Sequence, residues 1–188
     1  MYTAEINGTA VIIKESAELF SPLHADRGTL AMLSAVSVQP GMKALDLGCG
    51  CGIVGIYLSK LLGSENVWMC DIDAKAVAAS KVNAAENGVS PAVVQSDGVS
   101  ALTESGFDLI LTNPPYQSDF AVAKSFIEKG FNRLKVGGTM YVVVKRRAWY
   151  ENKLRAVFGG CRVYEIDGYF VFEAQKRSPL YANKEKKK

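Results

Sequence analysis

The chain has 188 residues, 48% of them hydrophobic and 22% charged, and 22 basic against 19 acidic side chains leave a net charge of +3. That balance belongs to a globular domain with enough apolar side chains to close a core, and it excludes a disordered or collagen-like chain over most of the length. No apolar run reaches the roughly 18 to 20 residues that a membrane-spanning helix needs, and the opening residues lack a basic segment ahead of an apolar one, so a cytoplasmic protein is expected.

Taken in chain order, Tyr2 to Ile13 places β-forming residues on either side of Asn7-Gly8, a pair that accepts positive φ at both central positions of a tight turn, and predicts a short hairpin. Gly28 to Ser37 reads as a helix with apolar Leu30, Leu33 and Val36, stopped by Pro40-Gly41. Apolar runs of strand type then follow at Ala44–Leu47, Val67–Cys70, Ala92–Val94, Leu109–Leu111 and Met140–Val144, alternating with helical stretches near 53–62, 74–86 and 119–134. A helix near 148–158 leads to Arg162–Ile166, Asp167-Gly168 and Tyr169–Ala174, the pattern of an antiparallel hairpin. The expectation is an α/β fold: a seven-stranded, mostly parallel sheet with an antiparallel C-terminal hairpin and helices on both faces. One domain is expected over 1–180, with 1–27 giving the hairpin and a covering segment, and a disordered basic tail over 181–188.

The first chemical signal is Ala44-Leu45-Asp46-Leu47-Gly48-Cys49-Gly50-Cys51-Gly52, an apolar strand that runs into alternating glycines and then a helix. Glycine at every second position lets a ligand approach the backbone closely. Asp46 decides which ligand: a carboxylate there opposes a pyrophosphate and favours S-adenosylmethionine, which carries a sulfonium and an amino group and no phosphate. The next strand ends in Cys70-Asp71-Ile72-Asp73, where a carboxylate can accept both ribose hydroxyls of a nucleoside, and Asp71 is the better placed of the two acids. A third strand ends in Asp97-Gly98, within reach of an adenine amino group. The competing explanation is that these aspartates cap the helices that follow. The expected cofactor contacts are Asp46, Gly48, Cys49, Gly50, Asp71, Ile72, Asp97, Gly98 and Asn113.

The most informative stretch is Asn113-Pro114-Pro115-Tyr116, directly after the strand around Leu109–Leu111. Two prolines fix φ and lack N–H groups, so the Asn113 side chain and the Pro114 carbonyl are presented as rigid neighbouring acceptors. Two acceptors suit an NH2 group: hydrogen bonds to its protons bias a delocalised nitrogen lone pair toward the methyl donor, so that positioning and electrostatics carry the reaction. Tyr116 is expected to stack on a planar substrate. Asn113, Pro114, Pro115 and Tyr116 are therefore the candidate catalytic group. No metal is required, and four cysteines without C-x-x-C spacing together with a single histidine, His24, offer little for zinc.

These motifs in this order resemble the class I, Rossmann-like methyltransferases over about residues 20 to 175, and within them the small-domain branch that includes ribosomal RNA guanine-N(2) methyltransferases. Phe20-Ser21 and Asp26-Arg27-Gly28-Thr29 are similar to that branch's cofactor-covering segment, which implies that Asp26, Gly28 and Thr29 lie on the cofactor side. The resemblance implies an RNA substrate, ribosomal RNA guanine first. Tyr116 fits adenine-amine and protein-glutamine methyltransferases equally well, so an adenine amine or a glutamine amide remain alternatives. A noncatalytic RNA-binding subunit and, last, an NAD-dependent dehydrogenase are the readings from other classes. Lys145-Arg146-Arg147 and the tail lysines are candidate phosphate contacts or plain solvated charge, and oligomeric state is left open.

Overall fold

In the computed structural model, residues 1–14, 24–115 and 120–182 are described. Strands β1 (Tyr2–Ile6) and β2 (Thr9–Ile13) pair as an antiparallel hairpin, with Asn7 and Gly8 at φ of 49° and 80° as its turn requires. Helix α1 (Arg27–Ala35) begins at Asp26, whose carboxylate caps the Thr29 amide. The sheet is then built from β3 (Ala44–Leu47), β4 (Val67–Asp71), β5 (Ala92–Gln95), β6 (Phe107–Thr112), β7 (Leu134–Val144), β8 (Arg162–Ile166) and β9 (Tyr169–Gln175). Between them run α2 (Ile53–Leu62), α3 (Ala74–Glu86), α4 (Phe120–Arg133) and α5 (Arg147–Phe158).

The strand order is β5-β4-β3-β6-β7-β9-β8, parallel from β5 to β7 and antiparallel through β9 and β8. The predicted seven-stranded sheet with a C-terminal antiparallel hairpin is therefore present. Its interior strands read as continuous apolar runs because both faces are covered. One buried cluster joins α1, α2 and the β1–β2 hairpin to one face, and the other joins α4 and α5 to the opposite face. The hairpin is tied down by polar contacts from α3 and its end: Asn87 exchanges hydrogen bonds with the Ile12 backbone at 2.9 and 2.7 Å, and Asn83 Oδ1 accepts from the Lys14 amide at 2.8 Å. No helix among the described residues is long and apolar enough to cross a membrane.

Several element ends differ from the sequence reading, and two of the differences have a clear physical reason. Strand β7 starts at Leu134 rather than Met140, because Leu134 pairs with Phe107 before the register shifts and regular pairing resumes at Leu109–Thr139. Helix α1 stops at Ala35, and Val36 is already extended at φ −74°, ψ 131°.

Helix α2 lies so close to β4 that a Cβ on Gly55 would stand 2.4 Å from Met69 Cγ, and Met69 is fully buried. Gly55→Ala is expected to destabilise the protein by about 1–3 kcal/mol through overpacking, read as a lower urea midpoint at unchanged m-value. An unchanged midpoint would mean that Met69 swings aside without cost.

Candidate active site

Strand order reverses between β3 and β6: the chain winds one way through β4 and β5 and the other way through β6 and β7. In an open parallel sheet the loops leaving the carboxyl ends of two such strands diverge and leave a crevice. A cavity of about 580 Å³ occupies that crevice, a size suited to a small-molecule ligand. It is lined by the glycine loop after β3, by Asp71, Ile72 and Asp73 after β4, by Asp97 and Gly98 after β5, and by Asn113, Pro114 and Pro115 after β6. Asp26 and Thr29 of α1, Tyr2 of the hairpin, and Val122 and Phe126 of α4 complete it. Tyr116 and Phe20-Ser21 lie outside the described residues, as do the tail lysines.

The loop after β3 turns by placing Gly48, Gly50 and Gly52 at φ of 77°, 53° and 89°, the region that residues with a Cβ rarely adopt. Phe126 presses on it from α4, 3.2 Å from where a Gly48 Cβ would be. The Gly48 and Cys49 amides donate to the Cys70 carbonyl at 2.9 and 3.0 Å. From behind, two fully buried polar residues of α3 hold the loop: Ser80 Oγ donates to the Gly50 carbonyl at 2.8 Å and Asn83 Nδ2 to the Cys51 carbonyl at 2.9 Å. Nothing in the local sequence around Ser80, Asn83 or Phe126 marks them, because helix periodicity separates buried from exposed positions and does not say which buried side chain meets a loop.

The cavity wall carries five aspartates, Asp26, Asp46, Asp71, Asp73 and Asp97, and no Lys, Arg or His among the described residues. Such a wall favours a cation and repels a pyrophosphate. Asp46 is buried, and its Oδ2 accepts from the Gly55 amide at 2.9 Å. Burial pushes its carboxyl up to about 7, with the Gly55 hydrogen bond working against the rise and the Asp71 charge adding to it. Asp71 accepts from the Gly50 amide at 2.9 Å and from the Asp73 amide at 3.0 Å, so it braces the glycine loop as well as facing the cavity. Asp73 caps α3 through the Lys75 amide at 2.9 Å, so the capping explanation holds for this residue. Asp97 and Ile72 are exposed at the rim, Ile72 with 65% of its surface open. Gly98 is buried beside them, and Cys49 and Cys70 have thiols pushed up by burial, unlike reactive thiolates.

At the opposite wall, Asn113 Nδ2 donates to Asp26 Oδ1 at 2.7 Å and to Thr29 Oγ1 at 3.0 Å. The same Asp26 oxygen caps α1 by accepting from the Thr29 amide at 2.8 Å. Two acceptors on the nitrogen fix which way round the amide lies. Its oxygen, Asn113 Oδ1, is then buried at the cavity without a hydrogen-bond partner; Thr112 Oγ1 is the other buried side-chain atom in that condition among the described residues. An unpaired buried acceptor costs about 1–3 kcal/mol, so it calls for a donor from outside the chain. The resemblance implies that the covering segment touches cofactor. Asp26 and Thr29 do line the cavity, but their hydrogen bonds go to Asn113, while Gly28 is buried in the first turn of α1 and does not line it. His24 is exposed, with its Nδ1 3.3 Å from the neighbouring Ala25 carbonyl.

A doubly wound sheet closed by an antiparallel hairpin, with an acidic cavity at the reversal point and an Asn-Pro-Pro corner across from the glycine loop, defines a Rossmann-like class I methyltransferase fold. Residues 10–173 match the family described as Methyltransferase small domain, and the chain belongs to that family. Among curated proteins it is 32% identical over 163 residues to the ribosomal RNA small subunit methyltransferase C of Pseudomonas putida, covering 84% of this chain and 49% of that protein. The protein of the same name from Serratia proteamaculans is 33% identical over 180 residues, covering 93% and 52%. The chain thus spans about half the length of the curated relatives it matches. Among solved structures, a 16S rRNA N2 methyltransferase of Thermus thermophilus in complex with AdoMet and guanosine superposes with a TM-score of 0.84 at 28% identity, over 94% of this chain and 50% of that one.

Proposed function

We propose that this chain transfers a methyl group from S-adenosylmethionine to the exocyclic amino nitrogen of a base in RNA, guanine of ribosomal RNA. The observation that carries the proposal is the buried, unpaired Asn113 Oδ1, held at the cavity by Asp26 and Thr29. It is an acceptor aimed where a donor must arrive, and a neutral planar amine is such a donor. The likeness to rRNA methyltransferases supports the choice of RNA.

The cavity suits S-adenosylmethionine by its volume and by a wall with five carboxylates and no cationic side chain among the described residues. When bound, that cofactor supplies an electrophilic methyl group on a positively charged sulfur. The chain does the rest. Asp46 and the glycine loop receive the amino-acid end, and Asp71 the ribose hydroxyls, with Cys49 and Gly50 in contact. Ile72, Asp97 and Gly98 border the adenine. Asn113 Oδ1 and the Pro114 carbonyl accept hydrogen bonds from the two N–H groups of the substrate amine and point its lone pair at the methyl carbon; the methyl carbon leaves sulfur as the N–C bond forms, and the nitrogen gives up one proton to solvent. Pro115 stiffens the corner, and Tyr116 is the residue we assign to stacking on the base.

Incubating the protein with tritiated S-adenosylmethionine, unmodified 16S rRNA and a cell protein extract tests the substrate class. Label is expected in the RNA fraction; label confined to protein would overturn RNA in favour of a glutamine amide. A narrower prediction concerns Asp26. Asp26→Ser keeps a good helix cap but removes the charged partner of the Asn113 amide, so thermal stability is expected to stay within about 1 kcal/mol while kcat falls by about tenfold or more. Unchanged kcat would show that Thr29 alone holds the amide.

A further inference from the structure

A target base held at Asn113 leaves the RNA on either side of it to run over the rim. The helix and strand layer beside the cavity differs from it in charge. Residues 120–158, which form α4, β7 and α5, carry nine Lys or Arg and two Glu, a net +7 inside a chain whose total is +3. Cofactor wall and outer layer thus have opposite signs. Both acids of that layer are engaged: Glu151 by Arg147 and Arg155, and Glu128 by Lys153.

Lys145 and Arg146 are exposed immediately beyond the carboxyl end of β7. Strand β7 is the parallel neighbour of β6, with Val142 opposite Thr112, so Lys145 stands three residues, about 10 Å, further along the strand direction than the residue before Asn113. Next to this pair of cations lies an aromatic step: Phe120, at the start of α4, stacks on Trp149, in the first turn of α5, with centroids 4.4 Å apart and planes 24° from parallel. Trp149 rests edge-on against the buried Tyr150 at 5.0 Å. Phe120 keeps 37% of its surface exposed and Trp149 is partly exposed. Neither ring lines the cavity. A ring pair left partly at a surface, a few residues along the chain from two exposed cations, offers the two features by which single-stranded nucleic acid is held: a face on which any base can stack, and positive charge for the backbone.

We propose that Phe120 and Trp149, with Lys145 and Arg146, form the bed for the single-stranded RNA flanking the target nucleotide, one neighbouring base stacking on the ring pair and its phosphates lying on the two cations. The proposal rests on the RNA reading above. Its role is energetic: drawing a base out of a stack costs a few kcal/mol, and contacts to the flanking strand offset that cost without entering the reaction.

The test is binding of a mixed-sequence, single-stranded RNA decamer to the whole chain in the presence of S-adenosylhomocysteine, followed by fluorescence anisotropy at several salt concentrations. Trp149→Ala is expected to weaken binding about tenfold or more, and Trp149→Phe to restore most of it. Arg146→Ala, at an exposed position whose side chain makes no capping hydrogen bond to α5, is expected to weaken binding and to reduce the slope of log K against log salt by about 0.7. Affinity for S-adenosylhomocysteine should stay constant throughout, which separates a lost RNA contact from a damaged fold. If wild type labels RNA and all variants bind the decamer equally, the bed is wrong while the RNA reading stands. If wild type neither binds the decamer nor labels RNA, that reading fails and the bed with it.

Discussion

Asn113→Ala is expected to lower kcat roughly a hundred- to a thousandfold, the range for removing one preorganised group that acts in the transition state, while leaving affinity for S-adenosylhomocysteine essentially unchanged. The reason lies in the division of the cavity. The glycine loop, Asp46 and Asp71 form one wall and are braced from α3 by Ser80 and Asn83, with no hydrogen bond to Asn113. Asn113 belongs to the other wall and is held from α1. Truncation therefore removes an acceptor for the amine and leaves the cofactor wall intact; Asp26 still caps the Thr29 amide, so the fold should hold. Asn113→Asp should not rescue the rate, because a second carboxylate would replace the Nδ2 donor directly against Asp26, and like charges at hydrogen-bond distance repel. A rescued rate would mean that the Asp26 contact does not set the orientation of residue 113.

Cofactor affinity is expected to rise with pH through about 7, and Asp46→Asn to abolish most of that rise. Burial holds the Asp46 carboxyl up at about 7 in the free protein, so near neutral pH a large fraction is protonated. A cation in the cavity favours the ionised form, so binding S-adenosylmethionine below pH 7 expels a proton and the affinity falls by up to about tenfold per pH unit. S-adenosylhomocysteine lacks the sulfonium charge and should show a shallower dependence, which calorimetry in two buffers of different ionisation heat would resolve.

The same carboxyl acts in the opposite direction on stability. Its folded value lies above the ordinary 3.8, so its contribution is fully present below about pH 4 and is lost as pH rises through 7. A rise from 3.8 to about 7 corresponds to a cost on the order of 4 kcal/mol in the fully ionised state. Asp46→Asn keeps an acceptor for the Gly55 amide and removes the buried charge. It should therefore melt higher than wild type at pH 8 and bind S-adenosylmethionine less tightly. A variant that is less stable at pH 8 would show that the ionised carboxylate is not penalised in the fold.

Much of this was legible from residue order. The strands and helices from Ala44 to Leu62 follow from an apolar run, a glycine loop and an amphipathic stretch, and their bounds agree with the structure. Asp46, Asp71, Asp97 and Asn113 meet at one cavity because parallel strands put their carboxyl ends at one edge, which a sequence of alternating strands and helices already implies. The hydrogen bond from Asn113 to Asp26 spans 87 residues, and no local pattern encodes it. Asp26-x-x-Thr29 reads as a helix cap, which it is, and only the packing of α1 on β7 and β9, which brings Asp26 to the residue after β6, turns the cap into a brace. The protonation of Asp46 was hidden for a similar reason, since its identity gives a charge and its burial takes much of it away. Asp73 shows the reverse: capping is the competing explanation for it, and the structure has that cap.

The most direct test of the central claim is the identity of the methylated nucleoside. Unmodified 16S rRNA treated with the protein and S-adenosylmethionine, digested to nucleosides and separated by mass-detected chromatography, is expected to yield N2-methylguanosine, with the yield abolished by Asn113→Ala. A methyl group found only on ring carbon or ribose oxygen, positions with no NH2 for Asn113 Oδ1 and the Pro114 carbonyl to hold, would contradict the account.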